Sequence, residues 1–186
     1  MSLSTSNIYH KKSPLLVVVM GVSGTGKSTL ANEIANCFDI TLIDADSLHS
    51  AEAINQMSQG IPLTNPQRAP WIARICKQLS AYEVQGKSCV LAYSGLTQLH
   101  RQQIFSAYQK SLGILLNTNQ TILAQRLQAR PNHFMSPQLL NSQIVAMEPL
   151  SKEMVRMTLT LNAAEKLEGL LLQSVSFINL HHHSKM

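Results

Sequence analysis

The sequence predicts an α/β fold: a mainly parallel, five-stranded sheet with helices on both faces, making three layers. Three observations carry this. "LLVVVM" (Leu15–Met20) is an unbroken, valine-rich apolar run that stops at a glycine, the pattern of a strand buried on both faces of a parallel sheet. Strand-like and helix-like segments alternate from that run onward, the order that builds parallel pairs through crossover helices. The chain has 186 residues, of which 45% are hydrophobic, which suits one domain with one core and excludes a disordered chain.

The elements follow in order. Ser28 to Cys37 reads as a helix, with Leu30, Ile34 and Cys37 on one stripe. Ile40 to Ile43 is a short second strand ending at Asp44. Ser47 to Ser58 is helical by pattern, and "QGIPLTNP" breaks it with Gly60, Pro62 and Pro66. Trp71 to Val84 is a long helix with Ile72, Ile75, Leu79 and Tyr82 along one face. Ser88 to Tyr93 is a third strand, Gln98 to Tyr108 a helix, Leu112 to Leu116 a fourth strand, and Gln120 to Ala129 a helix. "RPNHFMSP" is a polar interruption before a helix over Gln138 to Met147. Met154 to Leu161 alternates as a last strand, and Ala164 to Ser174 closes as a helix. Residues 1–14 read as a lead-in, 15–180 as a single domain and 181–186 as a polar tail.

Charge and composition narrow the function classes. The net charge of +5 suits an anionic ligand, but the basic residues are scattered, which argues against nucleic acid. Charged residues make up only 13%, which suggests buried surface or an oligomer interface. Cys37, Cys76 and Cys89 are odd in number and far apart, with neither metal spacing nor a disulfide framework, which fits a reducing cytoplasm. No apolar stretch is long enough to span a bilayer, and no signal-peptide core is visible, so a cytoplasmic protein without a membrane partner is expected.

Gly21, Gly26, Lys27 and Ser28 within "MGVSGTGKST" match the phosphate-loop pattern G-x-x-x-x-G-K-S/T, placed after a strand and opening a helix as the chemistry requires. Backbone N–H groups and the positive helix end would hold phosphate oxygens. Gly21, Ser23, Gly24, Thr25, Gly26, Lys27, Ser28 and Thr29 are therefore the expected nucleotide contacts, with Lys27 reaching the β/γ-phosphates and Ser28 on Mg2+. The chain has only three aspartates, Asp39, Asp44 and Asp46. Asp44 and Asp46 follow the second strand as "LIDAD", and residues two apart in an extended segment point the same way. We expect Asp44 to serve magnesium and its waters, and Asp46 to serve the acceptor hydroxyl as orienter or general base. The alternative is a helix N-cap at Asp46. A carboxylate after the second strand, without an N-K-x-D motif, favours a kinase over a GTPase.

Assembled, the chain resembles the small gluconate kinases, within the shikimate kinase and nucleoside monophosphate kinase superfamily. "MGVSGTGKST" is close to that family's loop, and "DADSLH" looks like its D-G-D-x-x-H. "MSQGIPLTNPQRAPW" is similar to its M-x-x-G-x-P-L-x-D-x-D-R-x-P-W, and "YSGLTQLHR" to its C-S-A-L-K-x-x-Y-R. "RLQARPNHFMSPQLLNSQ" and "MEPL" resemble its later segments. The resemblance implies a P-loop kinase fold with a helical lid at about 126–140 and transfer of the ATP γ-phosphate to the 6-hydroxyl of D-gluconate. It implies Arg68 on an anionic acceptor or the transferred phosphate, and His49 near the acceptor. It implies Arg126 and Arg130 on and beside the lid, neutralising phosphate, and His133 in the lid. The i, i+4 spacing of the two arginines would put them on one helical face. It also makes a homodimer plausible. Departures from the family pattern fall at Ala53, Gln56, Asn65, Gln67, Thr97 and His100, nearly all losing a charge, in segments expected to cover the acceptor. The expectation is intact nucleotide chemistry with the acceptor left open. A different sugar acid or polyol, or a nucleotide-binding paralogue without turnover, are the alternatives.

Overall fold

In a computed structural model that describes residues 13–129 and 137–183, the five strands form one parallel sheet in the order β2-β3-β1-β4-β5. Central β1 (Leu16–Met20) is buried along its whole length. Its pleat divides the run between two cores. Leu16, Val18 and Met20 pack toward α3 (Asn65–Val84) and α4 (Gln98–Phe105), while Val17 and Val19 pack toward α1 (Lys27–Phe38) and α8 (Leu167–His183). The strand lacks alternation because helices cover both faces. β3 (Cys89–Tyr93) is equally buried, β2 (Thr41–Asp44) forms one edge, and β4 (Ser111–Asn117) and β5 (Thr158–Asn162) lie on the other side of β1. From β1 the chain builds first one side of the sheet and then the other. Ligands of open parallel sheets bind beyond the carboxyl ends of the strands at such a divergence.

Several elements differ from the sequence expectation. The helix expected over Ser47–Ser58 is two pieces: a 3-10 turn at Ala45–Leu48, then α2 (Ala51–Ser58), whose cap Ser50 accepts from the Ala53 N–H at 3.2 Å. α3 begins at Asn65 rather than Trp71. Thr64 and Gln67 form a reciprocal capping box, and Pro66 sits in the first turn, where no N–H donor is needed. The prolines therefore start a helix instead of only ending one. Met154 does not belong to the last strand. Ser151 caps a short helix, α7 (Lys152–Arg156), and β5 starts only at Thr158. α4 stops at Phe105, short of Tyr108, and α8 starts later and runs further than expected, taking in His181 and His182 of the assumed tail.

α5 (Gln120–Gln128) and α6 (Pro137–Ala146) each take in one end of the segment, about 126–140, where the lid is expected. They close two small apolar clusters above the sheet. Val22, Leu96, Leu123, Leu127 and Leu140 pack around the phosphate loop, and Met57, Leu63 and Leu139 join α2 to α6.

Removing the capping box tests the revised start of α3. Thr64→Ala should lower stability by about 1 kcal/mol, read as a lower urea midpoint with an unchanged slope. An unchanged midpoint would show that the box adds nothing.

Candidate active site

Between β1 and α1 the backbone folds into the predicted loop. Gly26 caps α1 with φ at 91°, in the left-handed region. Gly21 has φ at 145°, and a Cβ there would stand 2.6 Å from the Leu116 carbonyl oxygen. Inside the loop, Thr25 Oγ1 and Lys27 Nζ both donate to the Val22 carbonyl, at 2.9 and 3.1 Å. Outside it, the Gly21 N–H donates to the Ser94 carbonyl at 3.3 Å, and the Ser23 N–H donates to Gln143 Oε1 at 2.7 Å. The amino end of α1 faces a cleft walled by Ser23, Gly24, Gly26, Lys27, Ser28 and Thr29, with Asp46 and Leu127 at its rim. The N–H groups of a helix start, the helix dipole and a lysine make this cleft suited to phosphate oxygens.

The two aspartates take different positions from those expected of an extended pair. Asp44 ends β2. Its Oδ2 accepts from Ser28 Oγ at 3.3 Å, and its Oδ1 accepts from the Asp46 N–H at 3.0 Å. Asp44, not Asp46, is therefore the cap of the 3-10 turn. Asp46 lies within that turn and reaches the cleft because the backbone coils there, not by strand alternation. α3 fixes the turn from below: Trp71 Nε1 donates to the Ala45 carbonyl at 2.6 Å, and Arg74 Nε to the Leu48 carbonyl at 2.8 Å.

A second cavity shares Ser23, Lys27 and Asp46 with the first in its walls. His49, Arg68 and Trp71 form one side of it, and Ser142 and Gln143 of α6 another. His49 stacks on Trp71 with ring centres 4.1 Å apart and planes 16° from parallel. Its Nδ1 is buried without a hydrogen-bond partner. Burial, then the nearby Arg74 and Arg68 charges, push its pKa down to about 4, so it is neutral at physiological pH. Arg68 is half-buried, which lowers its pKa, but guanidinium stays cationic; its Nη1 donates to Asn65 Oδ1 at 3.0 Å.

Arg126 lies in the last turn of α5, on the outer side of the loop. There it shares an open cleft of about 440 Å³ with Gly24, Thr25, Gly26 and Glu165. α5 ends at Gln128. Arg130 and His133 lie outside the described residues.

None of the six departures from the family pattern is in the wall of the second cavity. Gln56 and Gln67 bond each other, Gln67 Nε2 donating to Gln56 Oε1 at 2.9 Å. Thr97 is buried and caps α4 through the His100 N–H. Asn65 and His100 face an outer groove between α3 and α4, and Ala53 packs beside Met57, Leu63 and Leu139. The charge losses therefore sit behind the cavity. Sequence reasoning also missed Gln143, Ser94, Glu148 and Arg101. Arg101 is 1% exposed and donates to the carbonyls of Gly95, Leu96 and Pro149, and the Gln98 N–H donates to Glu148 Oε2. "YSGLTQLHR" holds Ser94 and Arg101, "MEPL" holds Glu148 and "RLQARPNHFMSPQLLNSQ" ends on Gln143, but the segments do not indicate that these residues meet.

Fold, loop and paired cavities define a P-loop kinase of the small-molecule type. A family model described as an AAA domain matches residues 16–150. A gluconokinase of Gluconobacter oxydans is 38% identical, covering 73% of this chain and 76% of its own length. The thermoresistant gluconokinase of Escherichia coli is 29% identical over 95% of this chain and 98% of its own. Among solved structures, a gluconokinase from Sinorhizobium meliloti superposes with a TM-score of 0.80 at 30% identity, covering 94% of this chain and 99% of that one. A sugar kinase from Janibacter superposes with a TM-score of 0.85 at 28% identity, covering 92% and 99%. The chain belongs to the gluconokinase family.

His49 sets a pH dependence. Its folded pKa, about 4, lies below the ordinary 6.5, so the unfolded chain takes up the proton first as pH falls. Its stabilising contribution is complete above pH 6.5 and is lost as pH drops toward 4. His49→Phe, which keeps the stack on Trp71, should flatten the stability profile across that window. Identical profiles for the two proteins would remove His49 as the titrating group.

Proposed function

We propose that the chain transfers the γ-phosphate of ATP to the 6-hydroxyl of D-gluconate, forming 6-phosphogluconate and ADP. The observation that carries this is the shared wall. Ser23, Lys27 and Asp46 belong to both cavities, so a hydroxyl in the second lies beside a phosphate in the first, with a carboxylate between them. The names of the relatives point to the same acceptor, and none of the six departures stands in the wall of the second cavity.

In this reading the loop N–H groups and Lys27 bind the phosphates, and Arg68 pairs with the acceptor carboxylate or the transferred phosphate. Asp46 takes the hydroxyl proton as the oxygen attacks phosphorus and the bond to the β–γ bridging oxygen breaks. Neutral His49 and Trp71 form an uncharged floor. Arg126 borders the outer cleft and neutralises phosphate charge from that side, with Arg130 and His133 assigned to the lid. Ser28 Oγ donates to Asp44 Oδ2 at 3.3 Å beside the phosphate cleft, an oxygen pair that would hold Mg2+. Among the described residues no cluster of three or more His, Cys, Asp or Glu could hold a metal alone. Mg2+ bound there would supply charge neutralisation for the transferring group.

Met57, Leu63 and Leu139, whose contact joins α2 to α6, stand in the wall of the second cavity, where a sugar acid would lie against them. The proposed partner is a small molecule, in a cytoplasmic enzyme that we expect to be a homodimer. Among the described residues no helix is long and apolar enough to cross a membrane.

ADP release measured over a panel of sugar acids and polyols tests the reading, with D-gluconate expected to be fastest. ATP binding with no turnover of any acceptor would overturn it. Lys27→Ala should abolish transfer. Asp46→Asn should lower kcat by roughly 10²–10⁴-fold with ATP affinity little changed. Near-normal turnover in Asp46→Asn would remove Asp46 as the base.

A further inference from the structure

Gln143 has no part in the chemistry above, yet its Oε1 accepts from the Ser23 N–H of the phosphate loop at 2.7 Å, 120 residues away in sequence. It is 7% exposed and Ser23 8%. The bond is thus sheltered from water, where an unmatched N–H would be costly. Ser23 belongs to the walls of both cavities, so the bond lies on the partition between nucleotide and acceptor. α6 is anchored one turn before Gln143: Leu140 packs with Val22 and Leu96, and Leu139 with Met57 and Leu63. One helix therefore touches the phosphate loop, the acceptor wall and α2. Gln143 is the polar group by which it grips the loop backbone.

We propose that Gln143 is a positioning residue, which holds the phosphate loop in transfer geometry through the Ser23 amide and makes transfer depend on α6 being docked. A neutral amide oxygen suits this position. It accepts from the N–H without placing a full negative charge beside the triphosphate, as a glutamate would, and it does not leave the N–H unmatched, as an aliphatic side chain would. The expected loss is in turnover rather than nucleotide binding. The N–H groups at the start of α1 and Lys27 remain, while a displacement of the loop by a fraction of an ångström spoils alignment with the acceptor.

The proposal rests on the kinase reading of the site, and the test separates the two. Gln143→Met keeps length and apolar packing but cannot accept the hydrogen bond. Gln143→Glu can accept it but adds a charge. With ATP bound, amide hydrogen exchange in the peptide carrying Ser23 should be about three- to tenfold faster in Gln143→Met, the scale of one net hydrogen bond, and close to the parent rate in Gln143→Glu. Gln143→Met should lose about 10–100-fold in kcat with gluconate while its ATP KM changes little; Gln143→Glu should mainly raise the ATP KM. Acceptor affinity, followed by the fluorescence of Trp71, the chain's single tryptophan, should be near that of the parent in Gln143→Met. Parent-like exchange or parent-like kcat in Gln143→Met overturns the proposal. So does equally fast exchange in both variants, which would trace the effect to altered packing of α6. If the parent phosphorylates no sugar acid, the functional reading falls, and the exchange comparison decides the role of Gln143 alone.

Discussion

A phosphate loop binds with its backbone, so its N–H groups have to be fixed in direction before any anion arrives; the rest of this structure depends on that constraint. β1 cannot impose it alone. The loop is held by groups at the carboxyl ends of the neighbouring strands. The Ser94 carbonyl after β3 takes the Gly21 N–H, the Leu116 carbonyl in β4 leaves room only for a glycine at 21, and Asp44 at the end of β2 takes the Ser28 hydroxyl. Sheet register brings these groups to one level, with Met20 opposite Tyr93 on one side and Leu115 on the other. A slip of one residue in either pairing would turn the contacting groups to the wrong face.

α3 does for the acceptor side what the strand ends do for the loop. It carries Arg68 in its early turns, walls the second cavity with Trp71, and fastens the Asp46 turn through Trp71 and Arg74. This half of the site was only partly legible. The phosphate loop was legible because its signal is local: an apolar strand, glycines, a lysine and a helix in unbroken succession. Asp44 and Asp46 were legible as carboxylates at the right strand, but their division of tasks was not. The 3-10 turn that separates them depends on hydrogen bonds from α3, 26 residues away in each case. The T-x-x-Q box at Thr64–Gln67 was present in the sequence, yet Pro62 and Pro66 masked it as a break.

The lost charges illustrate the same limit. Read along the chain, the changes at Gln56, Gln67, Asn65, Thr97 and His100 cluster in segments that ought to cover the acceptor. In space, Gln56 and Gln67 are each other's partners, and Gln67 also closes the capping box with Thr64. Two amides thus tie α2 to the start of α3 without an ion pair, which near an exposed surface contributes little stability in any case. Thr97 works as a cap, so a lysine there would deprive α4 of its N-terminal acceptor. Proximity in sequence to a cavity wall is not membership of it.

Arg101 connects these parts. Its guanidinium donates to Gly95 and Leu96, which follow Ser94 after β3, and to Pro149, which follows α6. The Glu148 N–H returns a bond to the Leu96 carbonyl at 2.8 Å. The two segments that grip the phosphate loop from outside, through Ser94 and through Gln143, are thereby tied to each other. The path is closed: loop to Ser94, through Arg101 to Pro149, along the chain to α6, and through Gln143 back to the loop. A planar guanidinium can serve several carbonyls at fixed angles at once, whereas a lysine supplies a single point of charge on a flexible stem. A buried arginine thus ties together the two segments whose Ser94 carbonyl and Gln143 side chain brace the phosphate loop.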